Sequence, residues 1–228
     1  MKKAGIIGGI GPASTLDYYR GIIDGYRSRT NDGDYPEMFI NSVNMTEMLS
    51  YIQNKDWSAL VDMLVDAVSE LYNAGADFAA IASNTPHIVF DEVEKRTPIP
   101  ILSIVKETCE YARSKGCRKA VVIGTLFTMS SGLYSDALGK YGITAVVPSD
   151  AEKEMIHGII FPNLENGIVI PEDKQKMLAV VNRLIEEHDA DALILGCTEL
   201  PLMIKEGDVG TMILDTAKIH IASIVEHI

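Results

Sequence analysis

The chain carries an internal repeat, and that repeat restricts its fold more than any other feature. Lys3-Ala4-Gly5-Ile6-Ile7-Gly8-Gly9 resembles Lys119-Ala120-Val121-Val122-Ile123-Gly124-Thr125, 116 residues further on. Ala76-Asp77-Phe78-Ala79-Ala80-Ile81-Ala82-Ser83 resembles Ala190-Asp191-Ala192-Leu193-Ile194-Leu195-Gly196-Cys197, 114 residues further on. Buried parallel strands commonly read as short continuous apolar runs, so a single match of this kind would carry little. Two matches at nearly one spacing, in the same order, point to a duplicated unit of about half the 228 residues.

Each half reads as strand, helix, strand, helix. In the first, strands are expected at 4–8, 38–43, 78–82 and 100–104. A helix over 14–29 has Ser14 as its cap, and an amphipathic helix over 57–74 stops at Gly75. The second half repeats the pattern with strands at 120–123, 144–147 and 192–195 and helices at 132–141 and 174–187. A last helix over 216–226 packs back on the first half. Strands alternating with helices at this spacing imply parallel sheets. The expected fold is α/β: two pseudo-symmetric doubly wound parallel-sheet lobes with the active site in the cleft between them. The first lobe takes residues 1–99 plus 210–228 and carries Ser83; the second takes 100–209 and carries Cys197.

Composition narrows the function. A net charge of -12 argues against nucleic acid, because neutralising phosphates requires clustered Lys and Arg. No run approaches the ~20 apolar residues of a membrane span, and the apolar start is too short for a signal peptide. Three cysteines, at 109, 117 and 197, make no disulfide framework and suit a reducing cytoplasm. The His and Cys spacings do not suggest zinc ligands, and no lysine sits in a recognisable pyridoxal-phosphate setting.

In parallel α/β sheets ligands bind beyond the carboxyl ends of the strands. The segments there are Gly8-Gly9-Ile10-Gly11-Pro12, Ser83-Asn84-Thr85-Pro86-His87, Thr125-Leu126-Phe127-Thr128 and Gly196-Cys197-Thr198-Glu199. The first lacks the third glycine and the following acid of a dinucleotide fingerprint. It reads instead as a tight turn, around Ile10, that brings backbone N–H groups near a substrate. Ser83 and Cys197 follow equivalent strands. Thr85-Pro86 reads as a helix cap with proline in the first turn. Cys197 sits where a helix should begin, and a helix N-terminus favours thiolate. Cys109 and Cys117 have no such setting and read as core fillers.

These glycine, Ser-Asn-Thr and Gly-Cys-Thr-Glu motifs resemble, in order and over essentially the whole chain, the signatures of the aspartate/glutamate racemase family. The resemblance implies a two-lobed, usually homodimeric enzyme that uses neither pyridoxal phosphate nor metal. It implies that the residues at 83 and 197 handle the α-proton on opposite faces of an amino acid. It also implies that Asn84, Thr85, Thr125, Thr128 and Thr198 hold the substrate's amino and carboxylate groups.

Racemisation removes a proton from one face of Cα and returns one to the other, so two groups are needed unless the substrate turns over. The developing carbanion needs fixed donors around it. Most relatives carry cysteine at the position of Ser83, and a hydroxyl is a much poorer base than a thiolate. One thiol is also the arrangement of the related arylmalonate decarboxylases, which protonate the carbanion left by loss of carbon dioxide. A non-catalytic small-ligand binding protein is the remaining alternative. Relatives directed to aspartate grip the side-chain carboxylate with cations; here Met48 and Glu165 align with those positions, with Gln53 and Lys55 nearby as substitutes. An amino acid without an acidic side chain is therefore an expected substrate alongside aspartate and glutamate.

Overall fold

Apolar runs become parallel strands where both faces can be buried, and the chain does this twice in the same way. In the computed structural model, which describes residues 1–31 and 33–228, two compact units form: Met1–Ile104 with Ala217–Ile228, and Val105–Thr216. The first unit contains β1 (Ala4–Gly8), β2 (Met38–Ser42), β3 (Phe78–Ile81) and β4 (Ile101–Leu102), all parallel, in the order β2-β1-β3-β4. The second contains β5 (Lys119–Ile123), β6 (Thr144–Val146), β7 (Ala192–Leu195) and β8 (Met212–Asp215), parallel, in the order β6-β5-β7-β8. The strand orders are the same permutation, so each unit is an α/β fold built on one plan.

The repeat extends to side chains at the amino ends of the strands. Asp77 accepts the Lys3 N–H at 2.7 Å, and Asp191 accepts the N–H groups of Arg118 and Lys119 at 2.7 and 3.0 Å. At the carboxyl ends, Ala82 N–H donates to the Ile7 carbonyl at 2.9 Å and Gly196 N–H to the Ile123 carbonyl at 2.8 Å. The residues that come next are Ser83 and Cys197.

Flanking the first sheet are α1 (Pro12–Thr30), α2 (Met45–Gln53), α3 (Trp57–Ala74) and α4 (Phe90–Arg96). The α3 helix buries Leu60, Val61, Leu64, Ala67, Val68 and Leu71 along one stripe, is capped by Asp56, and stops at Gly75 with φ 106°. The α5 helix (Ile104–Ser114) begins at the boundary between units. The second unit adds α6 (Leu126–Ser130), α7 (Leu133–Lys140), α8 (Asp150–Ile160), α9 (Pro171–His188) and α10 (Leu200–Met203). Then α11 (Thr216–His227) returns to the first unit, where Ala217, Ile224 and Val225 share a core with Tyr18, Ile22 and Tyr26 of α1. A Cβ at Gly21 or Gly25 would come within 3.0 Å of Ile221 or Val225, so glycine lets the two helices approach closely. No helix among the described residues is long and apolar enough to cross a membrane.

Three expectations change. The sequence places residues 100–104 in the second lobe and 210–216 in the first, but Ile101 and Leu102 pair with β3, and β8 pairs with β7. Strand pairing therefore puts the boundaries after Ile104 and Thr216. Ser14 does not cap α1: the helix starts at Pro12 after Gly11 at φ 85°, and the buried Ser14 hydroxyl donates to the Ala82 carbonyl at 3.1 Å. Thr85 is not a cap either, since it is the first residue of a 3-10 turn (Thr85–Val89) with Asn84 in the cap position.

Candidate active site

In the first unit the loops after β1 and β3 lie beside each other because those strands are neighbours. Positive φ at Gly9 (82°) and Gly11 (85°) lets residues 8–12 turn sharply into α1. Thr15 holds the turn, accepting the Gly9 N–H at 2.9 Å and donating to the Gly11 carbonyl at 3.3 Å. Ile10 is buried in this turn. Ser14 then ties the start of α1 to Ala82, the residue before Ser83. Ser83 and Thr85 are half-buried and Asn84 is buried. Gln53 is exposed, at the last residue of α2, and Met48 is part of the core at 1% exposure. Lys55 is exposed, with φ 55°.

The second unit brings its motif residues together at the ends of β5 and β7. A Cβ on Gly124 would meet the Gly196 carbonyl oxygen at 3.0 Å, and one on Gly196 would meet Thr128 Cγ2 at 3.0 Å. Glycine at both places lets the two loops touch. Thr125 caps α6, accepting the Thr128 N–H at 3.3 Å, and its hydroxyl lies 3.0 Å from that of Thr128. Cys197 is 8% exposed, and its thiol donates to Glu199 Oε2 at 2.9 Å. Thr198 Oγ1 donates to the same oxygen at 2.9 Å.

This geometry reverses one electrostatic expectation. The Cys197 thiol is pushed well above the usual thiol range, first by burial, then by Glu199, with Glu165 adding to it. The following helix, α10, has only four residues and offers little dipole to oppose this. Glu165, on the 3-10 turn Leu164–Asn166, is half-buried, and burial and Glu199 raise its carboxyl above the ordinary value. Cys197 is thus held as a thiol beside a proton acceptor. Cys109 and Cys117 are buried and also raised, Cys109 to about 12, first through burial.

Glu199 is the residue that sequence reasoning passed over. It lies two positions after the thiol within a quoted motif, and a turn at that spacing was the available signal. Glu199→Gln removes the charge that raises the thiol. Iodoacetamide alkylation of Cys197, followed by mass spectrometry against pH, should then show an inflection at lower pH. An unmoved inflection would detach Glu199 from the thiol. Among the described residues no group of three or more His, Cys, Asp or Glu side chains is arranged to hold a metal ion.

A sequence model of the family described as Asp/Glu/Hydantoin racemase matches residues 7–224. The broad specificity amino-acid racemase RacX of Bacillus subtilis (strain 168) is 30% identical over 201 residues, covering 86% of this chain and 85% of that protein. The crystal structure of an aspartate racemase homologue from Pyrococcus horikoshii OT3 is 39% identical, with a TM-score of 0.88 over 100% of this chain and 99% of that one. A crystal structure from Yersinia pestis, described as a candidate Asp/Glu racemase, is 29% identical, with a TM-score of 0.93 over 100% of this chain and 99% of that one. With the motifs at the ends of equivalent strands and the match spanning both units, the chain belongs to the Asp/Glu/hydantoin racemase family.

Proposed function

We propose that this protein is an amino-acid racemase that exchanges the α-proton through Cys197 on one face of its substrate and Ser83 on the other, without pyridoxal phosphate or metal. One observation carries the pairing: Ser83 and Cys197 hold the same position, directly after the last backbone bond joining paired strands, in two units built on one plan. A relative named as an amino-acid racemase and one described as an aspartate racemase homologue support the reaction class. When Cys197 removes the α-proton, its own proton first passes from Sγ to Glu199 along the 2.9 Å hydrogen bond. In the opposite direction a water held by the Ser83 hydroxyl takes up the α-proton and passes it to solvent, and the thiol, already protonated, delivers its own proton to the carbanion. Asn84, Thr85, Thr125, Thr128, Thr198 and the backbone around Ile10 are the groups that would hold the amino and carboxylate ends, and Gln53 is the remaining polar candidate for a side chain.

An amino acid without a second carboxylate suits these residues best. Met48 is buried in the core, and Glu165 would repel an acidic side chain. A homodimer is the assembly the family resemblance implies, and unpaired buried cysteines fit a reducing cytoplasm.

The test is α-deuterium incorporation in heavy water, measured separately from each pure enantiomer of a panel of amino acids. Exchange with at least one amino acid is expected, faster from the enantiomer whose α-proton faces Cys197. No exchange with any of them would overturn the reading. A single thiol opposite a hydroxyl also suits a decarboxylase of the same superfamily, which would instead release carbon dioxide from a substituted malonate. Ser83→Cys places a second thiol of similar shape and should raise exchange from the slower enantiomer by roughly tenfold or more, with less change for the other. Equal rates unchanged by Ser83→Cys would make residue 83 an anchoring hydroxyl.

A further inference from the structure

Behind Ser83 the first unit contains a buried cluster of Tyr18, His87, Phe90 and His220 that the chemistry above does not use. His87 closes the Ser83-Asn84-Thr85-Pro86-His87 motif and is 5% exposed. Its ring stacks on Phe90, with centroids 5.2 Å apart and planes 6° apart, and His220 meets it edge-on at 6.5 Å. Nε2 of His87 accepts the N–H of Ile104 at 3.3 Å, which leaves the single proton of the neutral ring on Nδ1. Nδ1 is buried with no hydrogen-bond partner. The backbone of Ser83 and Asn84 lies close enough to the ring to raise its proton affinity against the effect of burial, without meeting Nδ1 at hydrogen-bond geometry. The His87 backbone N–H is already committed to the Asn84 carbonyl at 3.1 Å.

A buried donor without an acceptor is uncommon in a native structure. Here it sits directly beneath the turn that carries two proposed substrate-contacting residues. We propose that His87 is a positioning residue for the Ser83 face, its Nδ1–H closing onto the backbone of the Ser83-Asn84 turn when an amino-acid substrate engages that turn. The proposal rests on the racemase reading and adds to it a residue that touches neither substrate nor the transferred proton. Ile104 gives the arrangement a second anchor, since the amide held by Nε2 belongs to the last residue before the chain leaves the first unit.

Two substitutions separate the ring's nitrogens. His87→Gln can reach the Ile104 amide with its side-chain oxygen but offers no donor at the Nδ1 position, whereas His87→Asn places a donor near Nδ1. The readout is α-deuterium exchange from each pure enantiomer of the amino acid that exchanges fastest. His87→Gln should slow the enantiomer deprotonated on the Ser83 side by roughly tenfold and leave the other nearly unchanged, and His87→Asn should restore much of the loss. A purely structural role would slow both enantiomers alike, and that result, or no effect on either, would overturn the proposal. Where a variant fails to fold, side-chain nitrogen-15 NMR of the natural protein decides. An Nδ1–H tautomer whose signal shifts on adding that amino acid supports the proposal, and an Nε2–H tautomer or an unmoved signal overturns it. If the natural protein exchanges no amino acid, the racemase reading falls first; if it exchanges and only the His87 results fail, that reading stands without His87.

Discussion

Cys197→Ala is expected to reduce α-deuterium exchange by at least about a hundredfold from the enantiomer facing it, and racemisation with it. The loss follows from the position of the thiol: it is the one strong proton-transfer group in the repeated pair, with Glu199 2.9 Å away as the acceptor for its own proton. The fold should survive. The change removes one small buried atom and one hydrogen bond, costing on the order of 1–2 kcal/mol, and Glu199 keeps its bond from Thr198. Cys197→Ser keeps the volume but substitutes a far weaker base, so it should be nearly as inactive. Cys109→Ala and Cys117→Ala should exchange at the natural rate, since neither thiol belongs to a motif at a strand's carboxyl end. Because the proton that Cys197 gives up stays on Glu199, exchange in the direction where it acts as base should hold level as pH rises through the neutral range. An enzyme that exchanges normally as Cys197→Ala, or whose Cys197-side exchange falls with rising pH, would place the chemistry elsewhere.

The repeat made the two-unit α/β plan legible, because apolar runs buried on both faces read the same wherever they occur. It also placed Ser83 and Cys197 in corresponding positions. What stayed hidden has particular causes. The β8 strand spans only Met212–Asp215 and is half-exposed along most of its length, so it lacks the fully apolar signature of β1, β3 and β7. The two-residue β4 shows its allegiance only through pairing with β3. Ser14 matched a cap by residue type, but Gly11 and Pro12 had already started the helix. The charge around Cys197 was misread because a thiol at a strand-to-helix turn suggests a dipole. Only the structure shows that the helix is four residues long and that Glu199 folds back onto the sulfur. The link between His87, Ile104 and His220 joins residues far apart in sequence, and no local pattern announces it.

That buried cluster leads to the second large effect, an early loss of stability in mild acid. Burial pushes His87 down to about 4, and burial together with His87 pushes His220 down to about 3, both from an ordinary 6.5. His220 is neutral and fully paired: Nε2–H donates to the Leu102 carbonyl at 3.1 Å, so Nδ1 accepts the Tyr18 hydroxyl at 2.8 Å. Between the unfolded value of 6.5 and these lower folded values, the unfolded chain binds protons that the folded chain refuses. Stability therefore rises with pH across that window and is lost as pH falls from about 6.5 toward 4. Each histidine contributes roughly 1.4 kcal/mol per pH unit while only the unfolded form is protonated. The pair together removes on the order of 5 kcal/mol by pH 4, comparable with the whole stability of many domains. Asp191 and Asp208, whose carboxyls are held below the ordinary 3.8 by hydrogen bonds and nearby cations, lose their contribution only at lower pH, outside this window. Urea unfolding followed by circular dichroism at about pH 7 and about pH 5 should show a large drop in midpoint. His220→Gln, which retains a donor and an acceptor but cannot titrate, should lower stability at neutral pH yet remove roughly half of the pH dependence. A midpoint that does not change between those two pH values, or a dependence that survives intact in His220→Gln, would mean that the buried imidazoles are not what acid attacks first.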